Sequence, residues 1–269
     1  MIKELGQSDI ALNDENASEW IKKDKRRMLH VVYRVGNLDK TIKFYRECLG
    51  MKLLRKRDIP EEGYSNAFLG YGPEESNFAV ELTFTDVIVV VLSLLLSDYG
   101  VDKYDIGTGF GHFGIAVEDE PGPSKDGGPV IALVEDPDGY KFELLERGPT
   151  LEPYRQVMLR VGDLDQSINF YKKAFGMELL RKRDYPDNKE FVVSGKIVLF
   201  YDKGNGYAQI AVGTNDVYKT AEAIKLYGGE VVLEPGPLPG INTKIMACVD
   251  PDGWKTVFVD NADFMKELE

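Results

Sequence analysis

Apolar positions along the chain follow two rhythms. Residues 29–35 form an apolar, β-branched run and read as a strand. Asp39 is placed to cap a helix whose apolar face holds Ile42, Tyr45 and Leu49, with Gly50 as the stop. Strands are expected over 67–70, 79–83 and 112–117. Asp136-Pro137-Asp138-Gly139 is a tight turn that makes a hairpin of 130–135 and 140–146. Further on, 217–226 is an amphipathic helix ended by Gly228-Gly229.

These elements recur. Tyr33-Arg34-Val35-Gly36-Asn37-Leu38-Asp39 returns as Leu159-Arg160-Val161-Gly162-Asp163-Leu164-Asp165, an offset of 126 residues. Gly50-Met51 and the LLRKRD after it return at Gly176-Met177 with the same tail. The offset is 114 between Asp136-Pro137-Asp138-Gly139 and Asp250-Pro251-Asp252-Gly253, and 97 between His112 and Gln209. Copy 2 is therefore 29 residues shorter between about Arg183 and Tyr207. Copy 1 is 17 residues shorter between His112 and Glu120, where the counterpart of helix 217–226 should stand. Each copy holds two βαβββ units, one of them damaged. The organisation expected is an N-terminal extension (1–24), a first module (25–148), a linker around 148–153 and a second module (154–269).

Length and composition agree. With 269 residues, 43% hydrophobic and 29% charged, the chain suits two globular domains. A net charge of −12 argues against nucleic acid and anionic membrane as partners, both of which need clustered positive charge. Residues 87–97 (VIVVVLSLLLS) interrupt copy 1 with an apolar run, too short for the roughly 20 residues that span a bilayer. Cys48 and Cys248 lack metal-type spacing and read as small buried hydrophobes in a reducing compartment. The N-terminal stretch has no apolar core of a secretory signal, so the expectation is a cytoplasmic protein.

Candidate chemistry gathers in copy 1. His30, Glu81, His112 and Glu143 all lie on expected strands, and the chain has only two histidines, both in this set. Imidazole and carboxylate suit zinc, nickel, cobalt or iron. Each alone reads more simply: a histidine among apolar neighbours is usually a hydrogen-bonded core residue, and a strand glutamate usually faces water. Four at equivalent places in a repeated frame read otherwise.

The motifs Met28-Leu29-His30 with Tyr33-Arg34-Val35-Gly36, Val80-Glu81-Leu82-Thr83, Tyr99-Gly100-Val101-Asp102-Lys103-Tyr104, Gly111-His112 and Glu135-Asp136-Pro137-Asp138-Gly139-Tyr140-Lys141-Phe142-Glu143-Leu144 together resemble the glyoxalase I (lactoylglutathione lyase) family. The likeness is to its plant-type two-domain form, within the vicinal oxygen chelate superfamily. It runs from about Glu19 to Glu269. It implies an α+β fold of paired βαβββ modules in two tandem domains. It also implies isomerisation of the methylglyoxal–glutathione hemithioacetal to S-D-lactoylglutathione, with one divalent ion (nickel, zinc or cobalt) and glutathione as cosubstrate.

The resemblance pairs the modules face to face, making two clefts. One combines His112, Glu143, Gln156 and a copy-2 glutamate, with Glu143 as catalytic base. The other combines His30 and Glu81 with Gln209 and Val257, and valine leaves that cleft silent. Arg34 and Arg160 become contacts for glutathione carboxylates. Arg34 equally reads as a solvated strand-end charge.

This sequence departs from the family in two places. The copy-2 glutamate falls in the missing segment, with only Asp202 nearby as a replacement, and 87–97 is inserted. Retained or skipped coding segments account for both; a transcript matching this chain throughout would refute that. The alternatives are a glyoxalase-fold binding protein without activity, and a ring-cleaving dioxygenase with iron on His30, His112 and one carboxylate. A monomer is expected, with a homodimer as the other arrangement.

Overall fold

The computed structural model describes residues 12–60, 63–85, 103–118, 131–146, 148, 150–182, 201–237 and 242–269. The apolar insertion at 87–97, residues 120–123 and the copy-2 segment at 183–200 lie outside the described residues. The chain forms two compact units that interleave along the sequence. The larger takes residues 28–162 and the stretch up to 212; the smaller takes the segment before 28, the stretch from 163 and residues 213–267. No helix among the described residues is long and apolar enough to cross a membrane.

In the larger unit, β1 (Arg27–Arg34), α2 (Leu38–Glu47), β2 (Lys52–Ile59), β3 (Tyr64–Gly70) and β4 (Ala79–Thr85) make one βαβββ unit. The crossover through α2 sets β1 parallel to β4, and hairpins then add β3 and β2 antiparallel. Strand β9 (Tyr207–Thr214) neighbours β1, giving the order β9-β1-β4-β3-β2. The second sheet runs β6-β7-β5-β8, from β5 (Phe110–Val117), β6 (Ile131–Glu135), β7 (Lys141–Glu146) and β8 (Tyr154–Leu159). Strand β5 is parallel to β7 and antiparallel to β8. Strand β8 of copy 2 thus docks beside β5 of copy 1, and β9 of copy 2 beside β1 of copy 1. Under the sheets lies an aromatic core with Tyr33, Tyr45, Phe113, Tyr140 and Phe142 all fully buried. Tyr33 stacks on Phe113 at 5.2 Å, and its hydroxyl meets that of Tyr45.

The smaller unit holds α1 (Asp14–Lys23), α3 (Leu164–Ala174), α4 (Val217–Leu226), β10 (Glu230–Pro237), β11 (Lys244–Val249), β12 (Lys255–Asp260) and α5 (Asn261–Glu267). Strands β10-β11-β12 form an antiparallel meander. Helix α4 buries Val217, Thr220, Ala221, Ala223 and Ile224, the apolar stripe expected of an amphipathic helix. Arg26 ties α1 to α3 by donating to Asp24 at 2.9 Å and to the Ala174 carbonyl at 2.6 Å.

Several expectations shift. Asn37 caps α2 in place of Asp39: its extended backbone (φ −148°) lets the side chain accept from Lys40 N–H at 2.9 Å. Asp39 sits in the first turn, where the helix dipole favours a negative charge. The extension contains α1, closed by a reciprocal box between Asn13 and Asn16. Strand β2 carries four basic residues and is half-exposed, so no apolar alternation marks it. Cys248 is buried as expected, but Cys48 is exposed at the α2 C-cap.

The Asp-Pro-Asp-Gly turns do more than join hairpins. Asp136 accepts from the N–H groups of Asp138 and Tyr140 through one carboxylate oxygen and from the Tyr45 hydroxyl through the other. Asp138 accepts from Thr41 Oγ1 and Gly36 N, both at 2.7 Å. In copy 2, Tyr171 and Ser167 of α3 bind Asp250 and Asp252 in the same way, each at 2.8 Å. Four-residue spacing on each helix puts both hydroxyls on one face. Each copy thereby latches the helix of its first βαβββ unit to the turn of its second.

Candidate functional site

The second sheet of the larger unit brings three of the expected ligands together. Strand β5 supplies His112, its parallel neighbour β7 supplies Glu143, and its antiparallel neighbour β8 supplies Gln156. Gly114 is the common register partner of Glu143 and Gln156. His112 Nε2 lies 3.2 Å from Glu143 Oε2, and the two side chains are 21% and 17% exposed, enough for a substrate to reach. The Gln156 amide donates to Glu143 Oε2 at 2.7 Å and sits 3.0 Å from His112 Nε2.

Donors with bonds of about 2.0–2.1 Å to one ion stand about 3 Å from each other. The three spacings match that figure, and imidazole, carboxylate and amide oxygen are a set that first-row divalent ions accept. The glutamine presents its NH2 to the carboxylate, and a turn of the amide would present its oxygen instead. The donor set therefore fits a divalent cation. Counting only His, Cys, Asp and Glu, no group of three converges among the described residues, so the amide is what completes a triad.

His30 and Glu81 form a second, separate pair. They stand on adjacent parallel strands, β1 and β4, with His30 Nε2 3.3 Å from Glu81 Oε2 and exposures of 12% and 11%. Glu81 is engaged: Asn66 Nδ2 donates to it at 2.8 Å and the Tyr64 hydroxyl at 3.3 Å. Burial raises the Glu81 carboxyl above the usual range, and the Asn66 hydrogen bond opposes that rise. The His30 ring meets Phe68 edge-on at 5.4 Å. Gln209 lies in β9, the strand beside β1. Val257 lies in β12 of the smaller unit.

Arg34 is the last residue of β1, and Arg160 follows directly on β8. Arg34 Nη1 donates to the Asn205 carbonyl at 2.7 Å; Arg160 Nη1 donates to those of Thr108 and Phe110 at 2.8 and 3.0 Å. The loops they hold are themselves reciprocal. Thr108 and Gly109 donate to the Asp202 carbonyl, and Asn205 and Gly206 to the Asp105 carbonyl. Gly107 and Gly204, both at positive φ, lie against these carbonyls with no room for a β-carbon. The Asp202 carboxylate accepts from Gly204 N–H at 2.9 Å, so it serves this turn.

Arg160, Thr108, Phe110, Gly139, Lys141 and Tyr201 line a cleft of about 480 Å³; the three donors are not among its lining, although Lys141 shares β7 with Glu143. The sequence reading missed Lys141, although it stands two residues before Glu143 on the same strand. Strand alternation places the two on one face and could have found it.

A family model described as the Glyoxalase/Bleomycin resistance protein/Dioxygenase superfamily matches residues 27–86 and 154–258. The chain is 61% identical to a probable chloroplastic lactoylglutathione lyase of Arabidopsis thaliana, over 100% of this chain and 82% of that one. It is 55% identical to a lactoylglutathione lyase of Oryza sativa subsp. japonica, over 97% and 99%. The crystal structure of glyoxalase I from Zea mays superposes with a TM-score of 0.82 at 55% identity, over 93% and 98%. The cytoplasmic expectation falls here, because the Arabidopsis relative is named for the chloroplast. The charge and composition of folded modules carry no such address; targeting is read from separate segments.

Proposed function

The chain belongs to the Glyoxalase/Bleomycin resistance protein/Dioxygenase superfamily, in its lactoylglutathione lyase branch, and from that premise we propose that the catalytic centre is the His112–Glu143–Gln156 cluster on the second sheet. The reaction is the isomerisation of the hemithioacetal of methylglyoxal and glutathione to S-D-lactoylglutathione. The observation that carries the assignment is the convergence of these donors at 2.7–3.2 Å.

A divalent ion held by His112, Glu143 and Gln156 would supply Lewis-acid polarisation of the substrate oxygens. Nickel, zinc and cobalt all suit the donor set. Glu143 takes the proton from the carbon that bears sulfur and hydroxyl, and returns it to the adjacent carbonyl carbon, while the hydroxyl proton passes from the first carbon's oxygen to the second's. The first carbon becomes the thioester and the second the alcohol. The isomerisation is internally balanced, so neither water nor an external oxidant enters. Strand β7 holds the carboxylate against a neighbouring strand on either side, which limits its wander during the two transfers. Arg160 and Lys141 present positive charge to the glutathione carboxylates along the cleft.

The His30–Glu81 pair is proposed to be silent. Copy 2 offers valine at the place matching Glu143, and Asn66 and Tyr64 already occupy one oxygen, Oε1, of Glu81. We further propose modules spanning 25–148 and 154–269, and a monomer in solution, which sedimentation at twice the 30.2 kDa chain mass would refute.

The test is lactoylglutathione formation by metal-stripped protein reloaded separately with nickel, cobalt and zinc. Turnover should return with metal, and Glu143→Gln should lower it by about 100-fold or more. Folded, metal-loaded protein without turnover would instead favour the glyoxalase-fold binding protein. Equal activity in Glu143→Gln would move the base elsewhere.

A further inference from the structure

We propose that Gly114 is a positioning residue, the one that lets Gln156 reach the metal cluster; the proposal rests on the assignment of that cluster as the catalytic centre. Gly114 lies on β5 between the two strands that carry the other donors, paired to Glu143 on one side and Gln156 on the other. The glutamine side chain crosses directly over it. A β-carbon at position 114 would stand 2.4 Å from Gln156 Cγ, 2.9 Å from Cδ and 3.2 Å from Nε2. Real contacts of that kind stay above about 3 Å, so something must shift.

What shifts decides the consequence. The closest atom is Cγ, near the root of the side chain, and it moves only by rotation about χ1. Staggered wells are about 120° apart, so relief means another rotamer or a strained, off-rotamer χ1. Either swings the amide away from Glu143 Oε2 and His112 Nε2, which it now meets at 2.7 and 3.0 Å. Moving the strand backbone instead would disturb the ladders of β5 to β7 and β8 on its two edges, the second of which already shifts register between Gly114 and Ile115.

The repeat carries a second sign. The copy-2 residue matching Gly114 is Ala211, two after Gln209, and the copy-1 residue matching Gln156 is His30. Glycine accompanies the glutamine that must cross its neighbour, and alanine accompanies the histidine at the silent pair. Gly114 has an extended backbone without positive φ, so backbone conformation does not demand glycine there.

The experiment is a double-mutant cycle over Gly114→Ala and Gln156→Ala, read as Co²⁺ affinity by absorption and chelator competition. A parallel cycle follows thermal unfolding in chelator. Each single variant should weaken Co²⁺ binding by about tenfold or more, and the double variant should bind no more weakly than Gln156→Ala alone. In the metal-free cycle, Gly114→Ala should lower the melting temperature only when Gln156 is present. Gly114→Ala with unchanged Co²⁺ affinity, or losses that multiply in the double variant, would overturn the proposal. Wild-type protein that binds no Co²⁺ would refute the metal assignment separately, and the unfolding cycle would still decide whether Gly114 positions Gln156.

Discussion

At the scale of single residues, the proposed function gives the cleft-lining cations a substrate-binding role distinct from that of the three donors. Lys141 is 57% exposed and only loosely paired to Glu135 at 3.9 Å, so its charge is screened by solvent and available to a ligand. Lys141→Ala should raise KM for the hemithioacetal by about two- to fivefold and leave kcat near its original value. A kcat loss with unchanged KM would place Lys141 in the chemistry instead. Arg160 differs, because it also holds the carbonyls of Thr108 and Phe110. Arg160→Ala should therefore raise KM and lower the melting temperature together, as steady-state kinetics and calorimetry on one preparation would show. His112 and Glu143 were legible in the sequence as rare ligand types on strands. Gln156 was found only through resemblance, since a lone glutamine carries no metal signal. Lys141 and Gly114 depend on which strands lie side by side, a fact absent from any local pattern.

At the scale of elements, the latch between helix and turn gives the chain a pH signature. Burial pushes the Asp136 carboxyl up to about 6, against the pull of its hydrogen bonds from Tyr45 and two backbone N–H groups. The folded state thus holds this proton more tightly than the unfolded chain, whose aspartate titrates near about 3.9. The stability contributed is full below about pH 4 and is lost as pH rises through about 6. Urea unfolding across that window should show the decline, and Asp136→Asn should flatten it. An unchanged slope in the variant would assign the dependence to another group. Asp138→Ala removes the acceptor of Thr41 Oγ1 and Gly36 N–H. Two polar groups left without that partner should cost about 2–4 kcal/mol, read as a lower urea midpoint at unchanged m. The hairpin itself was plain in the sequence, because Asp-Pro-Asp-Gly is a turn by local chemistry. Its second duty was not, since the hydroxyls that use it are 91 and 97 residues away.

At the scale of the molecule, copies are not the units of packing. Strands of copy 2 at 154–159 and 207–212 belong with copy 1 in the larger compact unit, and α3 and α4 with β10–β12 make the smaller. All three donors of the proposed centre stand in the larger unit. A bound ion stabilises the state that binds it, by about 2.7 kcal/mol at a hundred times Kd. Hydrogen exchange of β5, β7 and β8 should therefore slow on metal loading by more than that of β10, β11 and β12. Equal protection in both sets would argue against an ion held by this cluster.

The sequence by itself determined the repeat, the βαβββ rhythm, the turn chemistry and the family, because each rests on local spacing or on motifs read in order. It also singled out His30, Glu81, His112 and Glu143 as candidate ligands, since ligand types are chemical facts of the residues, while their division into two pairs came from the resemblance. Tertiary structure decided which donors meet, because strands distant in sequence become neighbours only when the sheets assemble. That assembly joins β5 to β7 and β8, sets Gln156 across Gly114, and leaves Glu81 bound to Asn66 and Tyr64. The physical reason is common to all three: a side chain's reach is a few ångströms, and chain order does not say what lies within it.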